Sequence, residues 1–171
     1  MVLGSWSGMR KYLEKDMLAE DMKGRVRYGC TSYKGMDGCH IFEIIIDGRQ
    51  IKRFSWETVN TWFIEKSLKR DNALTGTAAY WDGFWELMDS VPVSERTEYT
   101  DSEFCKALEK YRSQRIGESI VSDDPIVFMF ACLDRRTGRR TYPRLAKAAE
   151  KHPQWVRDII DIRFKGEDDH E

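Results

Sequence analysis

The chain has 171 residues, enough for one domain around a sizeable core; 41% are hydrophobic and 33% charged, which excludes an intrinsically disordered chain. Lys and Arg number 28 against 29 Asp and Glu, so no net field calls for nucleic acid or an anionic membrane, and any such site must be local. No apolar run approaches the roughly 20 residues that span a bilayer; "IFEIII" is strand-sized and broken by Glu43.

The opening "MVLGSWSGMRKYLEKDM" has no apolar signal-peptide core ahead of its charges, so the expected compartment is the cytoplasm. Ser5 or Ser7 is placed to cap a first helix, in which Trp6, Met9, Leu13 and Met17 recur at helical spacing until Gly24 stops it. "RVRYGCTSY" then alternates with period two: Val26, Tyr28 and Cys30 face one way, Arg25, Arg27 and Thr31 the other. "HIFEIII" and "QIKRF" are the second and third strands. Asp47-Gly48 between them predicts a type I′ hairpin turn, and "KGMDG" a looser link between the first two strands.

After Phe54 the pattern turns helical. Ser55 caps "WETVNTWFIEKSL", with Val59, Trp62 and Phe63 inward. "KRDNALTGT" is a polar loop. "AAYWDGFWELMDSV" carries Trp81, Phe84, Trp85 and Met88 on one face and ends at Pro92. Thr100 with Glu103 forms a capping box ahead of a stripe of Phe104, Leu108 and Tyr111. One of Ser122, Asp123 and Asp124 caps a helix with Pro125 in its first turn, running through Arg135 and Arg136 to Gly138. "YPRLAKAAEKH" and "PQWVRDIIDIRFK" are two more helices, and the acidic "GEDDHE" tail is expected to fray.

This order predicts an α+β fold: an N-terminal helix, a three-stranded antiparallel sheet, then a mostly helical C-terminal half packed on it. The expected organisation is a single domain over 1–171, with an α-β-β-β-α portion over 1–70, a helical portion over 71–165 and a tail over 166–171.

Three sets of residues are candidates for function. "LDRRTGRRTYPR" brings Arg135, Arg136, Arg139, Arg140 and Arg144 together. Read structurally, Arg135 and Arg136 offset the dipole at a helix end, with Asp134, Asp158 and Asp161 as available partners. Read functionally, the guanidinium fork suits an acidic protein partner or phosphate. The second set is aromatic: six tryptophans are many for this length, and Trp62, Trp81 and Trp85 are candidate anchors for a partner, against a default of core packing. The third set is Cys30, Cys39 and His40. Adjacent Cys39 and His40 point to opposite faces of a strand, which leaves Cys30 with His40 across the hairpin as the one nucleophile–base pairing to consider. Cys105 and Cys132 fall on apolar helical stripes and read as core. No C-x-x-C, nucleophile elbow, phosphate loop or metal spacing occurs, so no catalytic residue, metal or cofactor is expected.

The blocks "SWSGMRKYLEKDM", "KGRVRYGCTSY", "FEIIIDG" and "DPIVFMFACLDRRTGRR" together resemble a family of short bacterial proteins without assigned function. The resemblance rests on Trp6-Ser7, Gly24-Arg25-Val26 and Leu133-Asp134-Arg135-Arg136 with Gly138-Arg139-Arg140. It implies a bacterial, cytoplasmic accessory protein and brings no catalytic residues with it. The leading expectation is a non-enzymatic factor, immunity-like or regulatory, that binds another protein of unknown identity. A small cysteine-dependent enzyme at Cys30, Cys39 and His40 is the alternative. Weak nucleic-acid binding through Arg135–Arg144 is the second, with no specific nucleic acid and no membrane expected.

Overall fold

Ser5 caps the first helix: its hydroxyl accepts from the Gly8 amide at 3.3 Å at the start of α1, Trp6–Lys11. The computed structural model describes residues 5–32, 39–70 and 77–165. The "KGMDG" link, most of the 69–77 loop and the acidic tail lie outside the described residues. A π turn over Tyr12–Asp16 continues α1 and buries Leu13.

Strands β1 (Val26–Ser32), β2 (His40–Ile46) and β3 (Arg49–Phe54) form an antiparallel sheet in that order. Asp47 and Gly48 both take positive φ, 52° and 79°, as a type I′ turn demands. The pairings Val26↔Ile46, Tyr28↔Ile44, Ile44↔Lys52 and Phe42↔Phe54 put one set of buried side chains on a single face.

Among the described residues seven α-helices follow the sheet: α2 (Trp56–Glu65), α3 (Ala78–Ser90), α4 (Asp101–Ser113), α5 (Ile116–Ile120), α6 (Pro125–Leu133), α7 (Tyr142–Ala149) and α8 (Gln154–Phe164). Of these, α4 and α8 pack directly on the sheet. All nine residues of α6 are buried, so it is the spine of the helical half; α4, α5 and α8 pack on it, and α7 packs on α5 and α8. Asp124 starts α6: its Oδ1 accepts from the amides of Ile126 and Val127 at 2.9 and 3.3 Å, with Pro125 next in line.

Two helix ends depart from expectation for a common reason. The first helix does not run to Gly24, nor α6 to Gly138. Each stops where the two segments meet as a short antiparallel clasp between Leu18 and Asp134. The Ala19 amide donates to the Leu133 carbonyl at 2.9 Å, and the Arg135 amide to the Met17 carbonyl at 2.8 Å. The side chain of Asp134 turns back to accept from the Arg136 amide at 2.6 Å, a local bond that competes with another helical turn. Arg135 and Arg136 therefore lie beyond α6, not in its last turn, and Gly138 does not take the left-handed conformation of a helix cap. Buried Arg163 of α8 holds the corner. Its guanidinium donates to the carbonyls of Cys132 and Thr137, each at 2.5 Å, and to Asp21 Oδ2 at 3.1 Å.

The main core joins the sheet to α1, α4–α8 and the clasp. A second, smaller core lies between α2 and α3: Val59, Trp62, Phe63 and Phe84, edged by Trp56, Trp81, Leu87, Met88 and Val91. Arg96 links the two. It is 1% exposed and donates to the Val91 carbonyl at 3.1 Å on one side and to the Glu103 carboxylate of α4 on the other. No helix among the described residues is long and apolar enough to cross a membrane.

Candidate functional site: an aromatic cleft beside a structural arginine corner

Helix α3 is two-sided. Thr77 caps it, accepting from the Tyr80 amide at 3.3 Å. Tyr80 and Phe84 point into the small core. Trp81 and Trp85, one turn apart, flank Phe84 with ring centroids 5.8 and 5.2 Å away. Among the described residues nothing covers the outer side of that row, and Trp85 is 58% exposed. Trp56 of α2 meets Trp81 edge-on at 4.9 Å, and the first turn of α4 stands opposite. Between them opens a cleft of about 400 Å³, with the three tryptophans and Met88 on one wall and Thr100–Glu103, Lys106 and Cys39 on the other.

The polar groups of this cleft have distinct duties. Glu103 is fully engaged: it binds Arg96, and its Oε2 accepts from the Thr100 amide at 2.9 Å, completing the capping box. Asp101 Oδ2 accepts from the His40 amide at 2.8 Å and ties β2 to α4. Asp89 sits exposed in the last turn of α3. Beside the same row, Lys69 places its ammonium 3.4 Å from the Tyr80 centroid and 5.4 Å from those of Trp81 and Phe84. Lys69 also donates to Asn60 Oδ1 at 2.9 Å, while Asn60 donates to the Tyr80 hydroxyl at 2.8 Å.

Of the three candidate tryptophans, Trp81 and Trp85 thus share this cleft. Trp62 does not: it is 9% exposed, and its ring lies on Phe63 in the small core. Every α3 residue needed for the distinction was visible as a stripe. Which half of the stripe stays uncovered depends on how α2 crosses it, and periodicity carries no signal for that.

The arginines divide in the same way. Arg136 lays a fork on the buried Asp134 carboxylate, Nε at 3.0 and 3.1 Å and Nη2 at 2.6 Å, and the Tyr111 hydroxyl donates to the same carboxylate. Arg136 therefore belongs to the architecture. Arg135, Arg139, Arg140 and Arg144 are exposed, spread from the clasp through the turn to the first turn of α7. Asp158 and Asp161, expected as partners for this stretch, serve their own helix: Asp158 accepts from Gln154 at 2.8 Å and Asp161 pairs with Lys165 at 2.8 Å. Arg163 and Arg96, the two most buried arginines, carry no sequence signal beyond their charge.

At the sheet edge, Cys30 pairs with Phe42 and Ser32 with His40, so Cys30 and His40 are diagonal neighbours on one face. The His40 ring stacks on Phe42 at 5.9 Å, and the polar neighbour of the Cys30 thiol is Ser32. Burial pushes the Cys30 thiol up, pushes Cys105 up to about 11 and raises Cys132 further. These are opposite to the shift an attacking thiolate needs. The buried Lys52 of β3 is lowered by burial and held by Glu98 at 2.6 Å, a complete ion pair against Tyr99 and Trp155.

Fold and site together define an α+β protein that carries an open cleft of tryptophans and, separately, a helical corner built on Arg136 and the buried Asp134 carboxylate. The chain belongs to the SF0329 protein family, whose sequence model matches residues 5–164. This agrees with the resemblance drawn from the Trp-Ser, Gly-Arg-Val and Leu-Asp-Arg-Arg blocks to a family without assigned function. No curated protein and no solved structure matches the chain.

Proposed function

We propose that this protein is a non-enzymatic cytoplasmic accessory factor, immunity-like or regulatory, that works by binding another protein, and that the Trp85 cleft is its binding face. The observation that carries the reading is the exposed indole of Trp85 beside half-buried Trp56, Trp81 and Met88 in a cleft of about 400 Å³. Tryptophan in an open, preformed recess is the residue class that dominates the energetics of protein interfaces. The exposed Arg135, Arg139, Arg140 and Arg144 supply a secondary polar face. The cysteine-enzyme reading draws little support from thiols whose acidity burial suppresses.

The test is site-specific photo-crosslinking in cells, with benzoylphenylalanine in place of Trp85 in one variant and in place of Val121, which is 59% exposed on α5's C-cap, in another. A single discrete adduct from position 85 that position 121 does not give supports the reading. Matching smears from both positions, or no adduct from either, reject it.

A further inference from the structure

Resting on the docking reading above, we propose that the group the cleft receives is a cation: a Lys or Arg side chain carried by a basic segment of the partner protein.

Three independent observations converge on it. The first is the wall itself. Trp56, Trp81 and Trp85 are the ring type that attracts ammonium and guanidinium groups most strongly, and here they border one recess.

The second is charge. Asp82 and Asp89 lie three residues before and four after Trp85, so one carboxylate sits a turn to each side of the indole. Helix α3 also holds Glu86 and contains no Lys or Arg. Asp89 is placed against the carbonyl end of its own helix dipole, where a negative charge is unfavourable, and it has no ion pair among the described residues. A partner's cation offsets both the carboxylate and the helix end. Within the cleft Glu103 is already neutralised by Arg96, which leaves Asp89 and Asp101 against Lys106.

The third observation is Lys69. Trp81 of this wall already has an ammonium near its ring: Lys69 Nζ lies 5.4 Å from the Trp81 centroid and 3.4 Å from that of neighbouring Tyr80, so the row is one beside which a cation is held in the folded protein. The cleft adds the exposed Trp85 ring and the carboxylates of Asp89 and Asp101, where Lys69 has the neutral Asn60.

The experiment uses the full chain with ¹⁵N-labelled tryptophan at 150 mM salt. The probes are a decapeptide alternating Leu and Arg, the same peptide with citrulline for Arg, and tetramethylammonium chloride. Calorimetry gives the affinities and the indole N–H signals give the place. The arginine peptide is expected to move the Trp85 and Trp81 indoles, and citrulline, equal in shape but uncharged, to bind at least tenfold more weakly. Trp85→Ala and the double variant Asp82→Asn with Asp89→Asn are each expected to lose at least tenfold. All three positions are exposed, so an unchanged circular dichroism spectrum accompanies the loss. Equal binding of the two peptides overturns the inference and leaves an apolar docking site standing. Tetramethylammonium that binds as tightly as the peptide overturns it in favour of a small-cation site. Absence of binding by any probe also overturns it. Crosslinking from position 85 decides the docking reading separately.

Discussion

His152 carries a pH effect that falls in the mildly acidic range. It is 4% exposed, its ring stacks on Phe128 with centroids 4.3 Å apart, and its Nε2 has no hydrogen-bond partner among the described residues. Burial first, and the neighbouring Lys151 second, lower it from 6.5 to about 4, against a smaller opposing pull from the Ser122 backbone and Asp123. The unfolded chain therefore takes up a proton near pH 6.5 that the folded chain refuses until about pH 4. Stability from this group is full above the unfolded value and is lost as the pH falls through the interval between the two. The linkage relation with these two values gives a loss of about 2.5 kcal/mol between pH 7 and pH 4.5, a large part of a typical domain's total. Urea denaturation at both pH values, on the wild type and on His152→Gln, isolates the term. The variant lacks the titrating group, so its stability is expected to fall by about 2.5 kcal/mol less than the wild type's across the same interval. Equal losses for the two proteins, or an imidazole NMR titration centred near 6.5, would refute the reasoning.

The other expectations concern the corner, the cleft and the thiols. Asp134→Asn removes the charge that Arg136 and Tyr111 share inside the protein, and is expected to cost roughly 3–5 kcal/mol by chemical denaturation; Arg135→Ala, exposed next door, is expected to change stability by less than about 0.5 kcal/mol. Phe84→Ala is expected to cost about 3–5 kcal/mol by emptying the small core, while Trp85→Ala one residue on stays within about 1 kcal/mol. Cys105, pushed up to about 11 chiefly by burial, is expected to alkylate about a hundredfold more slowly at pH 8 than free cysteine, with Cys132 unlabelled in the folded protein and all four thiols labelled in denaturant. Mass spectrometry of timed samples reads this directly, and rapid labelling of Cys105 would contradict the burial assigned to it.

Most of what the chain declares locally is what it adopts. Ser5, Ser55, Thr100 with Glu103, and Asp124 ahead of Pro125 each start the helix their chemistry suits, and Asp47-Gly48 turns the hairpin. These signals are readable because cap, turn and stripe are decided within four or five residues. The end of α6 is different. Whether Asp134 continues the helix depends on Leu18, which lies far away in sequence, and a run of arginines reads as a solvated helix end until that neighbour is placed. Helix α5 escapes for the opposite reason: "IGESI" is too short to show a period and has a glycine inside it. The cleft was half visible. The surplus of tryptophan marks α2 and α3 as candidates, but Trp62 and Trp85 differ only in which side the companion helix covers.

The clasp between Leu18 and Asp134 also bears on how the molecule comes together in time. The hairpins and the α7–α8 pair join near neighbours and close short loops. The clasp ties residues more than a hundred positions apart, so its closure carries a larger entropic cost and comes late. A contact absent from the folding transition state leaves the forward rate alone and acts on the reverse one. The clasp is accordingly a latch: weakening its Ala19–Leu133 and Arg135–Met17 bonds shortens the lifetime of the native state while newly made chains still reach that state at their usual speed.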